Sequence, residues 1–326
     1  MRVARFLEEA AEFGPLAVTI GNFDGVHLAH HKLLLTVVEA AREKGVAPAV
    51  LTFDPHPASI VGPNRSARLL SNHAERCSLM AQEGIAAVLI LPFTTELSQW
   101  PPQKFVERVL VESLHARAVV VGENFRFGHK QAGDVATLKE MGAVLGFQTY
   151  VVPPVTWRGR VISSSAIRRA AESSHVSLAG RMLGRAFSLE GEVATGQGIG
   201  SKQTVPTLNL RTASQVLPAA GVYITRTFET ESADNKSQKR AWNSITNVGH
   251  RPTFGGGDLT VETFLLDPFS APTPTQIRVE FLRHVRDERK FPTPEALKTQ
   301  IMRDVKRAQA YFRRRQSWTH STSSTY

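Results

Sequence analysis

Two histidines and two glycines stand close together near the start of the chain. The segment Gly21-Asn-Phe-Asp-Gly-Val-His27-Leu-Ala-His30 follows a short apolar run and precedes a helix-patterned stretch. The glycines allow a tight turn and a close approach of a ligand to the backbone. His27 and His30 share one face at a helix N-terminus, beside free N–H groups and the positive end of the helix dipole. This pattern favours a polyphosphate, although a zinc site with a further ligand or a purely structural pair also fits.

Other candidate segments are open to both functional and structural interpretations. Gly196, Gly198 and Gly200 form a glycine loop that could surround phosphates, but the spacing matches neither a Walker A motif nor a dinucleotide fingerprint. A simple barrel turn fits this loop equally well. Asp54-Pro-His56-Pro57 reads as a rigid proline turn, and Ser163 to Ser165 reads as a helix N-cap. Because caps and phosphate sites use the same N–H groups, these interpretations are compatible with a binding site.

Strand and helix patterns alternate in the first half of the chain. Short apolar runs recur about every 30 to 40 residues, the size of a βαβ unit. The predicted strands are Leu16–Ile20, Pro48–Phe53, Ala86–Leu91, Ala118–Val121 and Gln148–Val152. The predicted helices are His31–Lys44, His73–Gln82, Gln103–Leu114 and Val135–Leu145. Uniformly apolar strands indicate a parallel sheet covered on both faces, so the polar segments 21–24, 54–57 and 122–128 should converge beyond the strand ends.

The second half has short strands without intervening helices. They are Ser188–Thr195, Thr207–Leu210, Val222–Phe228, Trp242–Val248, Thr260–Leu266 and Ile277–Phe281, which together predict a six-stranded antiparallel barrel. A last helix is expected from an N-cap at Thr293, with Leu297, Ile301, Val305, Ala308 and Phe312 as its apolar stripe. We therefore predict an α/β domain over 1–185, a barrel with its helix over 186–316 and a flexible tail over 317–326.

Composition narrows the class of protein. The chain has 326 residues, 42% of them apolar, which favours two globular domains over one. No run approaches the length of a bilayer span, and the first residues do not resemble a secretory signal. The single cysteine, Cys77, favours a reducing cytoplasm. The net charge of +10 is compatible with nucleic acid, an anionic membrane, phosphorylated small molecules or a solvated helix face.

Several motifs in sequence order resemble those of the bifunctional riboflavin kinase/FMN adenylyltransferase family of prokaryotes. In the first half they are the segment 21–30, Thr52-Phe-Asp-Pro-His-Pro57, Gly122-Glu-Asn-Phe-Arg-Phe-Gly128 and Ile162-Ser-Ser-Ser-Ala-Ile-Arg168. In the second half they are Pro206-Thr-Leu-Asn209, Gly221-Val-Tyr223, Asn247 to Gly255, Val261 to Leu265 and Arg286 to Phe291. The resemblance thus extends over nearly the whole chain.

For the first half, the resemblance implies a Rossmann-like nucleotidylyltransferase domain that converts FMN and ATP to FAD and pyrophosphate. His27 and His30 would bind the ATP phosphates and stabilise the transition state. The implied ATP or phosphate ligands also include Gly21, Asn22, Phe23, Asp24, Gly25, Ser163, Ser164, Ser165 and Arg168. The implied flavin or nucleotide ligands are Asp54, His56, Asn124 and Arg126.

For the second half, the resemblance implies a riboflavin kinase barrel that converts riboflavin and ATP to FMN and ADP. Glu262 would be the general base, although a strand glutamate taken alone is more often a solvated residue. Thr207 and Asn209 would hold Mg²⁺, because their oxygens suit a hard cation. Gly196, Gly198, Gly200 and Lys202 would bind phosphate, and Arg286 would contact flavin. Both reactions are expected to require Mg²⁺.

The sequence departs from the family pattern at three places. Ala29 replaces a glycine before the second histidine, Ser201-Lys202 replaces Gly-Arg, and the stretch 268–274 replaces Asp-Leu-Tyr-Gly. One alternative is therefore a monofunctional FMN adenylyltransferase with an impaired barrel. Another is a basic nucleic-acid-binding protein, which the lack of aromatics interleaved with basic residues disfavours. We expect riboflavin, FMN and ATP as small-molecule partners, no nucleic-acid, membrane or obligate protein partner, and a cytoplasmic location.

Overall fold

The structure is a computed structural model that describes residues 1–62, 68–194, 207–212, 215–230, 240–250, 259–267 and 272–322, without the side chains of 250 and 316–322. Gly196, Gly198, Gly200 and Lys202, which the sequence predicts as phosphate ligands, lie outside the described residues. The chain divides into two compact units, Met1–Ser164 and Ser165–Tyr326. This division comes before residue 185, where the sequence predicts the domain boundary.

The first unit is built on a six-stranded sheet. Its strands are β1 (Arg2–Ala4), β2 (Leu16–Ile20), β3 (Ala47–Asp54), β4 (Ala87–Pro92), β5 (Ala116–Gly122) and β6 (Gln148–Val152). They are parallel throughout, in the order β1-β4-β3-β2-β5-β6. The predicted doubly wound α/β fold is confirmed. The edge strand β1 was not predicted, because three residues are too few to show a strand pattern.

Helices and a small hairpin complete the first unit. The helices are α1 (Leu7–Ala11), α2 (Leu28–Lys44), α3 (Pro57–Val61), α4 (His73–Gln82), α5 (Thr95–Ser98), α6 (Pro102–Phe105) and α7 (Val135–Leu145). The hairpin pairs β7 (Thr156–Trp157) with β8 (Arg160–Val161). From Val106 to Ser113 the chain is a π-helix, so the helix predicted over 103–114 is present with two geometries. Two apolar clusters cover opposite faces of the sheet, one containing Leu16 and Val18 and the other containing Ala17.

The second unit contains a closed antiparallel barrel. Helices α8 (Ser164–Glu172) and α9 (Val176–Leu183) precede β9 (Phe187–Ala194), β10 (Thr207–Arg211), β11 (Gly221–Glu229), β12 (Ala241–His250), β13 (Leu259–Leu265) and β14 (Gln276–Asp287). Around the barrel the order is β10-β13-β12-β11-β14-β9. The predicted barrel is confirmed. Helix α9 contacts β14, and the Ser177 hydroxyl donates to the Leu282 carbonyl at 2.7 Å.

The barrel interior contains a connected set of hydroxyl groups. The Thr225 hydroxyl lies 2.8 Å from the hydroxyls of both Ser244 and Thr246, and Thr246 lies 3.0 Å from Thr263. All four side chains are fully buried. Because buried hydroxyls are costly unless they are paired, this network fixes the inward face of β11, β12 and β13.

The last helix, α10 (Pro294–Thr322), covers part of the outer face of the barrel. The Thr293 hydroxyl accepts from the Ala296 amide at 3.2 Å, as expected for an N-cap. Val305, Ala308 and Phe312 pack in one cluster with residues of β11 and β12. The predicted stripe is wrong in its first half, since Leu297 and Ile301 are 41% and 39% exposed.

The buried positions of that first half are polar instead. Gln300 and Asp304 are buried, and the Gln300 amide donates to the Asp304 carboxylate at 2.8 Å. The helix continues to Thr322, beyond residue 317, where the sequence predicts the start of a flexible tail. None of the helices in the described ranges has the length and hydropathy of a membrane span.

Candidate active sites

The strand order of the first unit places a crevice at the end of β2. From β2 the chain continues first to β3 and β4 on one side and then to β5 and β6 on the other side. The loops after β2 and β5 therefore diverge, which leaves the opening where open α/β sheets bind ligands. The segments 21–24 and 122–128 follow these two strands, as the sequence predicts.

The turn after β2 is strained and firmly held. Phe23 and Val26 have φ values of 48° and 36°, which are costly for residues with a Cβ. The buried Asp24 carboxylate accepts from the backbone amides of Leu70 and Ser71 at 2.9 and 3.2 Å. Asp24, a predicted phosphate ligand, thus fixes the turn through backbone amides. Such strain persists only where surrounding contacts enforce it, as they do at many functional sites.

The two histidines begin α2 as a stacked pair. The Nδ1 of His27 accepts from the backbone amide of His30 at 3.3 Å, and the two rings lie 3.6 Å apart with an interplanar angle of 12°. Burial, the neighbouring His27 and then Arg76 lower the pKa of His30 well below its usual value. In the described part of the chain, the buried Nδ1 of His30 has no hydrogen-bond partner. A neutral imidazole at this position can bind a ligand oxygen without an added proton.

Arg76 supports the turn from α4, and the sequence reasoning missed it. The Arg76 guanidinium donates to the Asn22 carbonyl at 3.0 Å, and the Thr52 hydroxyl donates to the same oxygen at 3.2 Å. Arg76 is 3% exposed although it is charged. One signal was available, because Arg76 stands four residues before the buried Met80, on the face of α4 that the packing buries. A charged residue on a buried face is rare without a partner or a role.

The segment Ser163 to Ser165 contacts the same turn after β2. The Ser164 hydroxyl donates to the Asp24 carbonyl at 2.9 Å. Ser164 begins α8, and Ser165 and Arg168 continue that helix within the second compact unit. The contact of Ser164 therefore joins two segments that are far apart in sequence.

A cavity of about 740 Å³ opens beside the strained turn. The predicted ligands Gly21, Asn22, Asn124 and Arg126 line it. Six aromatic side chains also line it, those of Phe53, Phe93, Trp100, Phe105, Phe125 and Phe127. Phe93 and Trp100 follow β4 outside any recognised motif, so they were not predicted. A cavity of this size with aromatic walls and a few polar groups suits a planar ligand.

The other two predicted flavin ligands of this unit take part in local structure. The Nδ1 of His56 accepts from the Ala58 amide at 3.1 Å and caps α3. The Asp54 carboxylate lies 3.2 Å from the Nε2 of His73. His56 thus has its partner within the loop after β3, whereas the partner of Asp54 is the first residue of α4.

In the barrel, the strand register brings the predicted kinase residues together. Asn209 of β10 is paired with Glu262 of β13, which is paired in turn with Asn247 of β12. Paired residues in adjacent strands project to the same face, with Cβ atoms about 4.5–5.5 Å apart. Thr207 precedes Asn209 by two residues and shares that face. Because the neighbouring Val261 and Thr263 are buried inside, this face is the outer one.

The same row continues to Arg286, a predicted flavin ligand that contacts the covering helix. Asn247 is paired with Val222, and Val222 is paired with Arg286 of β14. The Arg286 Nε donates to the Asp304 carboxylate of α10 at 2.8 Å. Arg286 thus links the barrel to its covering helix. Asn247, which belongs to a quoted motif but has no predicted role, lies directly beside Glu262.

The donor set of the barrel fits a hard cation better than a soft one. Thr207, Asn209 and Glu262 offer hydroxyl, amide and carboxylate oxygens on one face, which are the ligands that Mg²⁺ takes in proteins. The described residues contain no group of three or more His, Cys, Asp or Glu placed to hold a metal. The zinc interpretation of His27 and His30 therefore finds no third ligand in that part of the chain.

The first unit has a parallel sheet with a histidine pair at its switch point. The second unit is a barrel with a carboxylate beside hydroxyl and amide oxygens. Together these features define the class of a two-domain nucleotide-dependent transferase. The family described as FAD synthetase matches residues 10–166, and the family described as riboflavin kinase matches residues 183–312. The chain belongs to the bifunctional riboflavin kinase/FMN adenylyltransferase family. It is an enzyme with both activities, the FAD synthetase domain being N-terminal and the riboflavin kinase domain C-terminal.

The chain is similar to full-length relatives of that name. It is 34% identical over 293 residues to the protein of Pseudomonas fluorescens, covering 90% of this chain and 91% of that protein. It is 30% identical over 306 residues to the protein of Escherichia coli K12, with coverages of 94% and 95%. A crystal structure from Streptococcus pneumoniae, described as a macrolide-efflux protein, has a TM-score of 0.84 at 24% identity and covers 95% of this chain and 99% of its own. That likeness concerns the fold alone.

Proposed function

We propose that the two reactions take place at two separate sites, adenylyl transfer in the crevice after β2 and phosphoryl transfer on the outer face of the barrel. One observation supports this division above the others. The stacked histidines belong to the first compact unit, whereas the pair Asn209 and Glu262 belongs to the second. Each unit thus holds its own set of groups suited to a nucleotide phosphate.

For adenylyl transfer, the chain has to align two phosphates and offset their charge. The FMN phosphate oxygen attacks the α-phosphorus of ATP, and the bond from that phosphorus to pyrophosphate breaks. The imidazoles of His27 and His30, with the N-terminal amides of α2, would donate to the leaving oxygens. Ser163 to Ser165 and Arg168 would bind the remaining phosphates, for which a guanidinium is well suited.

The aromatic cavity would receive the flavin ring of FMN. Ring faces such as Phe125 and Phe127, which stack at 5.5 Å, offer a surface for an isoalloxazine. Asn124 and Arg126 would contact the polar edge or the ribityl phosphate. Asp54 and His56 would contribute less directly, by shaping the loop after β3. No nucleophile of the enzyme is needed, since alignment and charge stabilisation supply the rate.

For phosphoryl transfer, Glu262 would take the proton of the riboflavin 5′-hydroxyl as its oxygen attacks the γ-phosphorus of ATP. The bond from that phosphorus to ADP breaks, and the proton stays on the carboxylate until solvent removes it. Thr207 and Asn209 would hold Mg²⁺, which when bound neutralises charge on the transferred phosphoryl group. The Asn247 amide, in register with Glu262, would orient the carboxylate or the hydroxyl.

The proposal includes the setting of the enzyme. Its partners would be riboflavin, FMN and ATP in the cytoplasm, with Mg²⁺ required for both reactions. The net charge of +10 then matches substrates and products that are all anions apart from riboflavin. Neither a nucleic acid nor a membrane is required, and tight oligonucleotide binding at physiological salt would contradict this part.

Incubation with riboflavin, ATP and Mg²⁺, followed by chromatography of the flavins, tests the proposal. FMN and FAD should both form. Glu262→Gln should abolish FMN formation yet leave FAD formation from supplied FMN, and His27→Asn with His30→Asn should do the reverse. Loss of both reactions in either variant would contradict the division into two sites. FAD from supplied FMN, with no FMN from riboflavin in the unaltered enzyme, would favour the monofunctional alternative.

A further inference from the structure

A second cavity lies on the barrel unit, between β14 and the C-terminal half of α10. Its volume is about 620 Å³, and its basic and aromatic lining consists of Arg283, His284, Arg307, Tyr311, Arg314 and Arg315. It shares no residue with the row from Asn209 to Arg286. The roles described above therefore do not account for it.

Helix spacing and strand irregularities together form this lining. Arg307, Tyr311 and Arg314 follow one another at intervals of four and three residues, so they lie along one face of α10. On the facing strand, the register between β11 and β14 shifts twice, on either side of the pairs that contain His284 and Arg283. Such bulges redirect side chains and occur preferentially next to functional sites.

The charges of the cavity are all of one sign. Four arginines and a histidine line it, and no Asp or Glu does so among the described residues. In the same described part, Arg283 and Arg307 form no ion pair or hydrogen bond. The Asp287 carboxylate lies 3.2 Å from the Nε2 of His284 but does not line the cavity.

Near the N-terminal half of α10, arginines contact acidic or amide acceptors. There Arg286 is paired with the buried Asp304, and Arg289 donates to Gln300. Two arginines thus contact acceptors near the start of α10, whereas the cavity at its other half is lined by four arginines and by no Asp or Glu among the described residues. Like charges held close together repel one another, and a bound anion would remove that repulsion.

The rest of the lining is apolar or aromatic. Ile224, Val285 and Tyr311 form a surface against which a planar ring can pack. Guanidinium groups bind phosphate oxygens through two parallel hydrogen bonds and also stack on rings. We propose that this cavity binds a phosphorylated planar aromatic molecule of the nucleotide class, in addition to the substrates held at the two reaction sites.

Equilibrium dialysis of the full chain against ADP, FMN and inorganic phosphate tests the proposal. The test variant combines Arg283→Gln with Arg307→Gln, which removes two cavity charges without breaking an ion pair or hydrogen bond of the described residues. The matched control combines Arg303→Gln with Arg313→Gln, two exposed arginines of α10 that do not line the cavity. We expect the unaltered chain and the control to hold about one more equivalent of ADP or FMN than the test variant, or to bind that equivalent at least about tenfold more tightly. The rates of both reactions should stay unchanged.

A third variant tests the aromatic part. Tyr311→Leu keeps apolar bulk and should weaken binding of ADP or FMN while leaving binding of inorganic phosphate as it is. If ADP binds more tightly than FMN, the ligand carries an adenine ring, and if FMN binds more tightly, it carries a flavin ring. Equal binding by all proteins would overturn the proposal, as would inorganic phosphate binding as tightly as the nucleotides. The proposal would also be overturned if the test variant lost binding to an oligonucleotide or to anionic vesicles while its nucleotide binding stayed unchanged.

Discussion

The two proposed reaction sites are built in different ways. In the first unit, the functional groups stand on loops beyond the ends of β2, β3 and β5, and contacts from distant segments hold the strained turn at residues 23–26. In the barrel, Thr207, Asn209 and Glu262 stand within strands, and the ladder of hydrogen bonds sets their relative positions. The loop site therefore depends on tertiary contacts, whereas the barrel site depends on register.

This difference predicts where each site is sensitive. A loop held by a few buried polar contacts loses its geometry when one distant residue is replaced. A strand held on both sides by neighbours keeps its backbone when one outward side chain is replaced, so a substitution there removes only its own chemical group. The following experiments test this contrast in both units.

The largest effect is expected at Glu262. Glu262→Gln preserves size and register but removes the base, so FMN formation should fall by about a hundredfold to ten-thousandfold. The melting temperature and FAD formation from FMN should not change. Glu192→Gln, which alters another carboxylate on a barrel strand, is the matched control and should keep full activity. An active Glu262→Gln enzyme would remove the proposed base.

A smaller loss is expected at Arg76, through geometry alone. Arg76→Lys keeps the charge but cannot hold two nitrogens in fixed geometry, one donating to the Asn22 carbonyl and the other beside the Nε2 of His73. The turn should therefore shift, and FAD formation should fall by about tenfold to a hundredfold. The loss should appear in kcat as well as in the KM for ATP, and FMN formation should remain. Arg108→Lys, on an exposed helical pair with Glu112, provides the control. An equal loss of both activities would indicate general destabilisation.

These two residues also show what the sequence could predict. Glu262 stands in a strand whose alternation is visible in the residues, so the strand could be predicted. Its candidate role came from the family resemblance alone, and its pairing with Asn209 is visible only in the structure. The helical spacing of Arg76 from Met80 is a signal for its burial, but its support of the turn depends on packing between α4 and the turn after β2, which no local pattern contains. For the same reason the aromatic wall with Phe93 and Trp100 was missed, while most strand positions were within a residue or two of those observed.

A third test uses the buried imidazole of His30. Its folded-state pKa lies well below the ordinary 6.5, so below that pH the unfolded chain binds a proton that the folded chain does not. The contribution of the neutral His30 imidazole to the free energy of unfolding is present above pH 6.5 and is lost as the pH falls below that value. Between pH 7 and 5.5, the free energy of unfolding of the unaltered enzyme, measured with denaturant, should fall by up to about 1.4 kcal/mol per pH unit more than that of the His30→Asn variant.

The exposed His115 provides the matched control for this pH dependence. His115→Asn should follow the unaltered enzyme across the whole range. The barrel contains no comparable buried histidine pair among its described residues, so unfolding of the second unit should depend less on pH. An identical slope for His30→Asn and the unaltered enzyme would show that the imidazole is not held neutral by the fold.

The smallest effect is expected where the sequence pattern was misleading. Leu297 belongs to the predicted stripe of α10 but is 41% exposed, so Leu297→Ala should change the free energy of unfolding by less than about 0.5 kcal/mol. Phe312→Ala, at the buried end of the same stripe, should cost about 3 kcal/mol. Denaturant unfolding of both variants measures the difference. A cost at Leu297 similar to that at Phe312 would mean that the first half of α10 packs on apolar surface, and that the buried Gln300 and Asp304 are not what holds it.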